Sequence, residues 1–164
     1  MKEILNTMKL ELDAKSENES FARTTVAAFA TQLDPTVDEI NDLKTAVSEA
    51  VTNCIVHANT KKILIECALF INNKKDRVIS VTVTDFGIGI ANIEKALEPF
   101  FTTKPEQERS GMGFTVMQSF MDTVTVQSNC RHMTVGEAHS HMATKAIGEK
   151  PHGTIVEMTK VFGV

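Results

Sequence analysis

Residues 63–85 read ILIECALFINNKKDRVISVTVTD. Two runs rich in β-branched residues, 63–71 and 77–85, flank Asn72-Asn73-Lys74-Lys75-Asp76, a cluster of turn formers. That pattern predicts two strands joined as a hairpin, and hairpin-linked strands favour an antiparallel or mixed sheet. Upstream, residues 8–14, MKLELDA, alternate Met8, Leu10, Leu12 and Ala14 with Lys9, Glu11 and Asp13. Strict alternation marks a half-buried strand. Downstream, TVTVQS at 123–128 and GTIVEMTKV at 153–161 raise the number of strands to about five.

Helical patterns lie between these strands. Ser16-Glu17-Asn18-Glu19 is a capping-box sequence, able to satisfy orphan amides at a helix start. Phe21, Ala22, Val26, Phe29, Ala30 and Leu33 then form one apolar face. Asp34-Pro35 closes this helix, because proline disfavours α geometry in the residue before it. Thr36-Val37-Asp38-Glu39 repeats the capping pattern and opens a second helix running to about Ala58. A third follows Gly113, with Phe114, Met117, Phe120 and Met121 on one side. The expected fold class is α+β: a two-layer α/β sandwich with a mixed, mostly antiparallel sheet and helices on one face.

Composition bounds the function. The chain has 164 residues, enough for one domain with a sizeable core, and 42% of them are hydrophobic against 23% charged. A net charge of −4 makes direct nucleic-acid binding a poor expectation, since that needs a clustered basic face. Cys54, Cys67 and Cys130 are odd in number and show no CxxC spacing, which suits reduced thiols rather than a disulfide framework. MKEILNTMKLELD is too polar for a signal peptide, and no run approaches the ~20 apolar residues of a membrane span. A cytoplasmic protein without a membrane anchor is expected.

The second helix carries an anomaly. In SEAVTNCIVHA, residues 48–58, Glu49, Asn53 and His57 recur at four-residue steps. Each step drifts only about 40° around a helix. Leu43, Ala46, Val47, Ala50, Val51, Cys54, Ile55 and Ala58 fill one half of the wheel, while Thr45, Ser48 and Thr52 mark the opposite, wet side. The polar trio therefore runs along the rim of the core, with His57 slightly inside it. One reading is the polar border of an amphipathic helix. The other is a catalytic edge, since a half-desolvated carboxylate can serve as a general base and an asparagine carbonyl is a hard ligand for Mg²⁺.

Three further patterns follow. TDFGIGI, 84–90, ends a strand in an acid and two alternate glycines, which permit tight turns and close ligand approach. A carboxylate there can accept hydrogen bonds from an exocyclic amine. PFFTTKPEQERSGMGF, 99–114, holds Lys104, Arg109, Ser110, Gly111 and Gly113 before a helix; a glycine-rich helix start is an anion site, and the polar stretch before it could close as a lid. His152-Gly153-Thr154 opens the last strand.

In this order the patterns resemble the ATP-binding domain shared by gyrase, Hsp90, histidine kinases and MutL, with its Bergerat-type fold. SEAVTNCIVHA is similar to that family's N box, which implies Glu49 as general base and Asn53 as Mg²⁺ ligand. DFGIGI resembles the first glycine box, implying Asp85 as adenine reader with Gly87 and Gly89 shaping the pocket. The lid and SGMGF resemble the segment that lies against ATP or ADP, implying Thr102, Thr103, Lys104, Ser110, Gly111, Met112 and Gly113 as nucleotide-binding residues and Arg109 as a catalytic charge near the γ-phosphate. Thr154 occupies the last box.

Within that superfamily, SENESFAR, AFATQLDPT, SEAVTN, FTTKPEQERSGMGF and FMDTVTV resemble the anti-sigma F factors of spore-forming bacteria, over roughly residues 8–128 and again at 152–161. The resemblance implies a homodimeric protein serine kinase that holds the sporulation sigma F factor inactive when ATP is bound and phosphorylates a serine of an anti-anti-sigma factor. It implies Glu19 and Arg23 as partner-contacting residues, which otherwise read as an ordinary i,i+4 ion pair. The alternatives are a nucleotide-sensing anti-sigma module without catalysis, a related stress-response anti-sigma kinase, and a detached histidine-kinase catalytic domain.

Two departures stand out. The N box ends His57-Ala58 where the family has His-Gly, and alanine adopts positive φ only at a cost, so the next loop is expected to run differently. Residues 129–151 form an atypical insertion in the single domain, 1–164, and contain Cys130, His132, His139 and His141. They lack clean four-ligand spacing, so a tolerated surface insertion is expected rather than a metal site.

Overall fold

The structure is a computed structural model that describes residues 3–101, 103, 111–129 and 152–163. Its strands are β1 (Glu3–Asp13), β2 (Lys62–Ile71), β3 (Arg77–Asp85), β4 (Thr123–Asn129) and β5 (Gly153–Phe162). Its helices are α1 (Ser16–Ala30), α2 (Val37–His57), the one-turn α3 (Ile93–Ala96) and α4 (Gly113–Phe120). The strands form one sheet in the order β1-β2-β3-β5-β4, and every described pairing is antiparallel. The sheet is thus antiparallel throughout rather than mixed.

The β2–β3 hairpin lies where its turn residues place it. Ile71 faces Arg77, and Asn72 organises the loop by accepting the Lys74 and Asp76 amides on Oδ1. Ile63, Ile65, Cys67 and Leu69 of β2 and Ile79, Val81 and Val83 of β3 supply the buried phase of the alternation. They pack beneath Ala22, Val26 and Ala30 of α1 and Leu43, Ala46, Val47, Ala50 and Val51 of α2. Cys54 and Cys67 are both free and buried within this core. Burial raises both thiols, Cys67 to about 12, so neither is a ready nucleophile.

Local signals fared differently at the two capping boxes. At α2 the box forms: Thr36 Oγ1 accepts from the Glu39 amide at 3.3 Å, and Glu39 Oε2 accepts from the Thr36 amide at 2.7 Å. At α1 it does not form. Lys15 is the N-cap, with no side-chain cap. Glu19, which would close the box, instead accepts a hydrogen bond from Ser48 of α2 and pairs with Arg23. Tertiary contacts outcompete the local cap. Phe21 also leaves the expected apolar face and is 55% exposed, while its neighbour Ala22 is fully buried.

The chain departs from expectation in three other places. β1 starts at Glu3, earlier than the alternation at Met8 suggests, and its register with β2 shifts between Ile4 and Asn6. The turn α3 has no long periodic signal; Asn92 caps it by accepting from the Lys95 amide. Ser48 is half-buried rather than wet, because α1 covers that side of α2.

Two polar residues occupy core-facing positions of β5. Thr154, Val156, Met158, Lys160 and Phe162 share the buried phase. Lys160 is only 8% exposed, and its ammonium donates to Asp42 Oδ2 of α2 at 3.0 Å and to the Phe120 carbonyl at the end of α4 at 2.8 Å. This clamp ties α4 to α2 and the sheet, and a positive charge suits the carbonyl end of a helix.

Candidate active site

The site sits where the C-terminal half of α2 crosses the ends of β3 and β5 and the start of α4. Strand periodicity delivers its central carboxylate. Ile79, Val81 and Val83 point into the core, so Asp85, two residues on, must point the same way, and it is 5% exposed. Burial raises its pKa above the ordinary carboxylate value, while the amides of Gly87 and Thr154 and the Thr154 hydroxyl pull it back down. Asp85 Oδ1 accepts from the Gly87 amide at 2.9 Å and from the Thr154 amide at 3.3 Å.

A polar row extends from this carboxylate across three strands. The β3–β5 register runs through Val83–Val156 and Thr84–Ile155, so Asp85 stands beside Thr154; in turn Thr154 pairs with Ser128 of β4. Ser128 Oγ lies 2.9 Å from Thr154 Oγ1 and accepts from the Ile90 amide at 2.7 Å. Reading the sequence motif by motif missed Ser128. Its signal was a polar residue in the core phase of a strand, after Val124 and Val126, and buried polar groups are placed for a partner.

The glycine turn after Asp85 is locked to the end of α2. The Ile88 amide donates to the Ala58 carbonyl at 2.8 Å. A Cβ on Gly87 would stand 1.8 Å from that same oxygen, so only glycine fits this approach. Gly89 has φ 73°. Ala58 itself keeps helical geometry, with φ −75°, and the left-handed residue is Asn59 at φ 52°. Asparagine tolerates that conformation better than alanine. The loop therefore does not need a glycine at 58, because the positive φ falls on Asn59.

At the other end, Gly113 opens α4 against the polar edge of α2. A Cβ on Gly113 would lie 3.2 Å from both Glu49 Oε2 and Asn53 Oδ1. Glu49, Asn53 and His57 are all half-buried, as rim residues should be. Met112 is the N-cap of α4, and Gly111 turns with φ 63° against the backbone of Phe100. His57 Nδ1 lies 2.8 Å from Thr103 Oγ1, which joins the helix end to the segment preceding the glycines.

Thr102, Lys104, Arg109 and Ser110 lie outside the described residues, as do Cys130, His132, His139 and His141. Glu19 and Arg23 lie on α1, away from these contacts; Arg23 Nη1 is 3.7 Å from Glu19 Oε1 and its Nε is buried with no hydrogen-bond partner among the described residues. Among the described residues no cluster of three or more His, Cys, Asp or Glu side chains could hold a metal. That is compatible with Mg²⁺, which commonly takes one or two protein ligands and completes its shell with phosphates and water. Asn53 Oδ1, a hard oxygen beside the α4 N-terminus, fits that demand. No described helix is long and apolar enough to cross a membrane.

A buried carboxylate at a strand end, a glycine turn docked on a rim helix, and a second glycine helix start together define a histidine kinase-like ATPase domain, and the model of the family so described matches residues 12–137. A histidine kinase domain from Erythrobacter litoralis EL346 aligns with a TM-score of 0.43 and 13% identity, over 88% of this chain and 61% of that one. An anti-sigma F factor of Thermoanaerobacter sp. (strain X514) is 52% identical, over 98% of this chain and 97% of its own. Anti-sigma F factors of Geobacillus thermodenitrificans and Clostridium acetobutylicum are 52% and 58% identical, over 84% and 75% of this chain and 94% and 85% of their own. The chain belongs to the anti-sigma F factor family.

Proposed function

We propose that this protein is an ATP-dependent serine kinase that also sequesters a sigma factor, the sporulation sigma F factor, and phosphorylates a serine on an anti-anti-sigma factor. The observation that carries the catalytic part is the approach of Gly113 to Glu49 and Asn53. It sets a carboxylate and a hard oxygen at a glycine-rich helix start, where amides and the helix dipole favour phosphate.

Glu49 is the base in this reading. As the serine oxygen bonds to the γ-phosphorus, the bond from that phosphorus to the bridging oxygen of ADP breaks, and the hydroxyl proton passes to the Glu49 carboxylate. Phosphoryl transfer depends on positioning and charge neutralisation more than on covalent help. Asn53 would hold Mg²⁺, which neutralises phosphate charge when bound. The amides around Gly111–Gly113 would hold phosphate oxygens; Thr102, Thr103, Lys104 and Ser110 are assigned to nucleotide binding, and Arg109 to offsetting charge on the γ-phosphate. Asp85 and Thr154 read the base.

The sigma factor and the anti-anti-sigma factor are proposed to meet α1 at Glu19 and Arg23. The part-exposed charges of Arg23 and Glu19 support this, because surface charges can pair with opposite charges of an incoming partner. A homodimer in the cytoplasm completes the reading.

The test is incubation with γ-labelled ATP, Mg²⁺ and a candidate anti-anti-sigma protein, followed by location of the label. Label on a partner serine is expected. Tight ATP binding without transfer would leave a nucleotide-sensing module, and label on histidine would point to a histidine-kinase catalytic domain.

A further inference from the structure

Ser128 stands at the junction of three chain segments. Its hydroxyl accepts from the Ile90 amide at 2.7 Å, donates to the Gly153 carbonyl at 3.0 Å and lies 2.9 Å from Thr154 Oγ1. A hydroxyl has one hydrogen and two lone pairs, so these contacts constrain one another. The Thr154 amide, on the same peptide unit as the Gly153 carbonyl, donates to Asp85 Oδ1 at 3.3 Å. With its hydrogen on the Gly153 carbonyl, Ser128 can accept from both the Ile90 amide and the Thr154 hydroxyl. The chain of donation runs from Ser128 through the Gly153–Thr154 peptide to Asp85.

We propose that Ser128 is a positioning residue for base selection, acting through Thr154 to aim Asp85 at a ligand that offers an amino donor, and so favouring 6-amino over 6-oxo purine nucleotides. This rests on the reading of Asp85 as the base-contacting group and extends it to a residue on a different strand. Hydrogen bonds in series polarise one another. Ser128 also ties β4 to the glycine turn that forms the floor beside Asp85. Of the carboxylate's roughly four acceptor positions, the Gly87 and Thr154 amides occupy two, both on Oδ1. What is left can only accept. A purine 6-amino group satisfies it, whereas a 6-oxo group sets an acceptor against an acceptor.

The experiment measures dissociation constants of the full chain for ATP and for inosine triphosphate, with and without Ser128→Ala, and with Ser128→Thr as the hydroxyl-retaining variant. Wild type is expected to prefer ATP. Ser128→Ala should weaken ATP binding roughly three- to tenfold, the worth of one neutral hydrogen bond, and weaken inosine triphosphate binding less, so the preference narrows. Ser128→Thr should restore it. Equal losses for both nucleotides, or an unchanged ratio, would overturn the proposal, since a merely structural serine would move both alike. Should Ser128→Ala not fold, Ser128→Cys, which keeps the size but is a weak donor, is measured in its place under the same criterion. A wild type that binds both nucleotides equally would instead overturn the assignment of Asp85 on which the proposal rests.

Discussion

The two ends of the site are built on opposite principles. At the base end, Asp85, Thr154 and Ser128 come from three neighbouring strands and are joined side chain to side chain and to amides of the glycine turn. At the phosphate end, Glu49 and Asn53 come from one helix face, and the key element is the missing side chain of Gly113 that lets α4 approach them. A sheet end is rigid and suits recognition, where an acceptor must be aimed before the ligand arrives. A helix–helix junction around a glycine leaves its polar groups at a rim, where they can meet phosphate and an incoming hydroxyl. Under the proposed function, base selection and phosphoryl transfer would thereby be separated along the length of α2.

Four substitutions sharpen or break this contrast, in descending order of expected effect. Glu49→Gln should cut phosphoryl transfer by about 10²- to 10⁴-fold, the usual worth of a general base, with ATP binding retained. Single-turnover transfer beside a binding titration checks this, and undiminished transfer would remove Glu49 from the chemistry.

Asp85→Asn should weaken ATP binding roughly 10- to 100-fold, as expected for a hydrogen bond to a charged acceptor. Its pH behaviour separates the two ends further. Burial raises the Asp85 pKa, and base recognition needs the ionised form. ATP affinity of the wild type should therefore fall as pH drops through that raised pKa, above the ordinary carboxylate range. Folding stability has the opposite sign: the folded state holds this proton more tightly than the unfolded one, so acidification through the same window favours the fold at this residue. Asp85→Asn should abolish both dependences, as ATP titrations and thermal melts across pH would show.

Gly113→Ala presses a methyl group against Glu49 and Asn53. Both are flexible side-chain ends and alanine suits a helix better than glycine, so the melting temperature should hold or rise. Transfer should fall on the order of tenfold, because small misplacements of reacting groups are costly. A variant both stable and fully active would show that this contact does not position the pair. Thr36→Ala, far along α2, should cost about 1 kcal/mol of stability through loss of its cap. It should leave both nucleotide selectivity and transfer per folded molecule unchanged, a result readable from denaturant melts beside activity.

Legibility followed the range of the forces involved. The hairpin at 72–76 and the Thr36 box were read correctly because turn residues and caps act within a few positions. The polar rim of α2 was legible because helical periodicity alone sets Glu49, Asn53 and His57 on one line. The box at Ser16 failed for a partly nonlocal reason: Ser48, brought near by the packing of α2 on α1, holds Glu19, which also pairs with Arg23 one turn on. Ala58 looked like a defect, yet Asn59 absorbs the positive φ. Ser128 and Lys160 showed only as polar residues in an apolar phase, and the identity of their partners required the strand order.

By itself, then, the amino-acid order determined the elements, the phase of each strand and helix, and the residue types able to do phosphate chemistry, because periodicity and turn chemistry are properties of short segments. Only the tertiary structure decided which of those residues meet. The pairing of β5 between β3 and β4 brings Thr154 to Asp85 across 69 positions and Ser128 to Thr154 across 26. The packing of α4 on α2 sets Gly113 against Glu49 and Asn53. Such contacts depend on burying one apolar face against another, a condition on the whole chain that no single stretch of sequence contains.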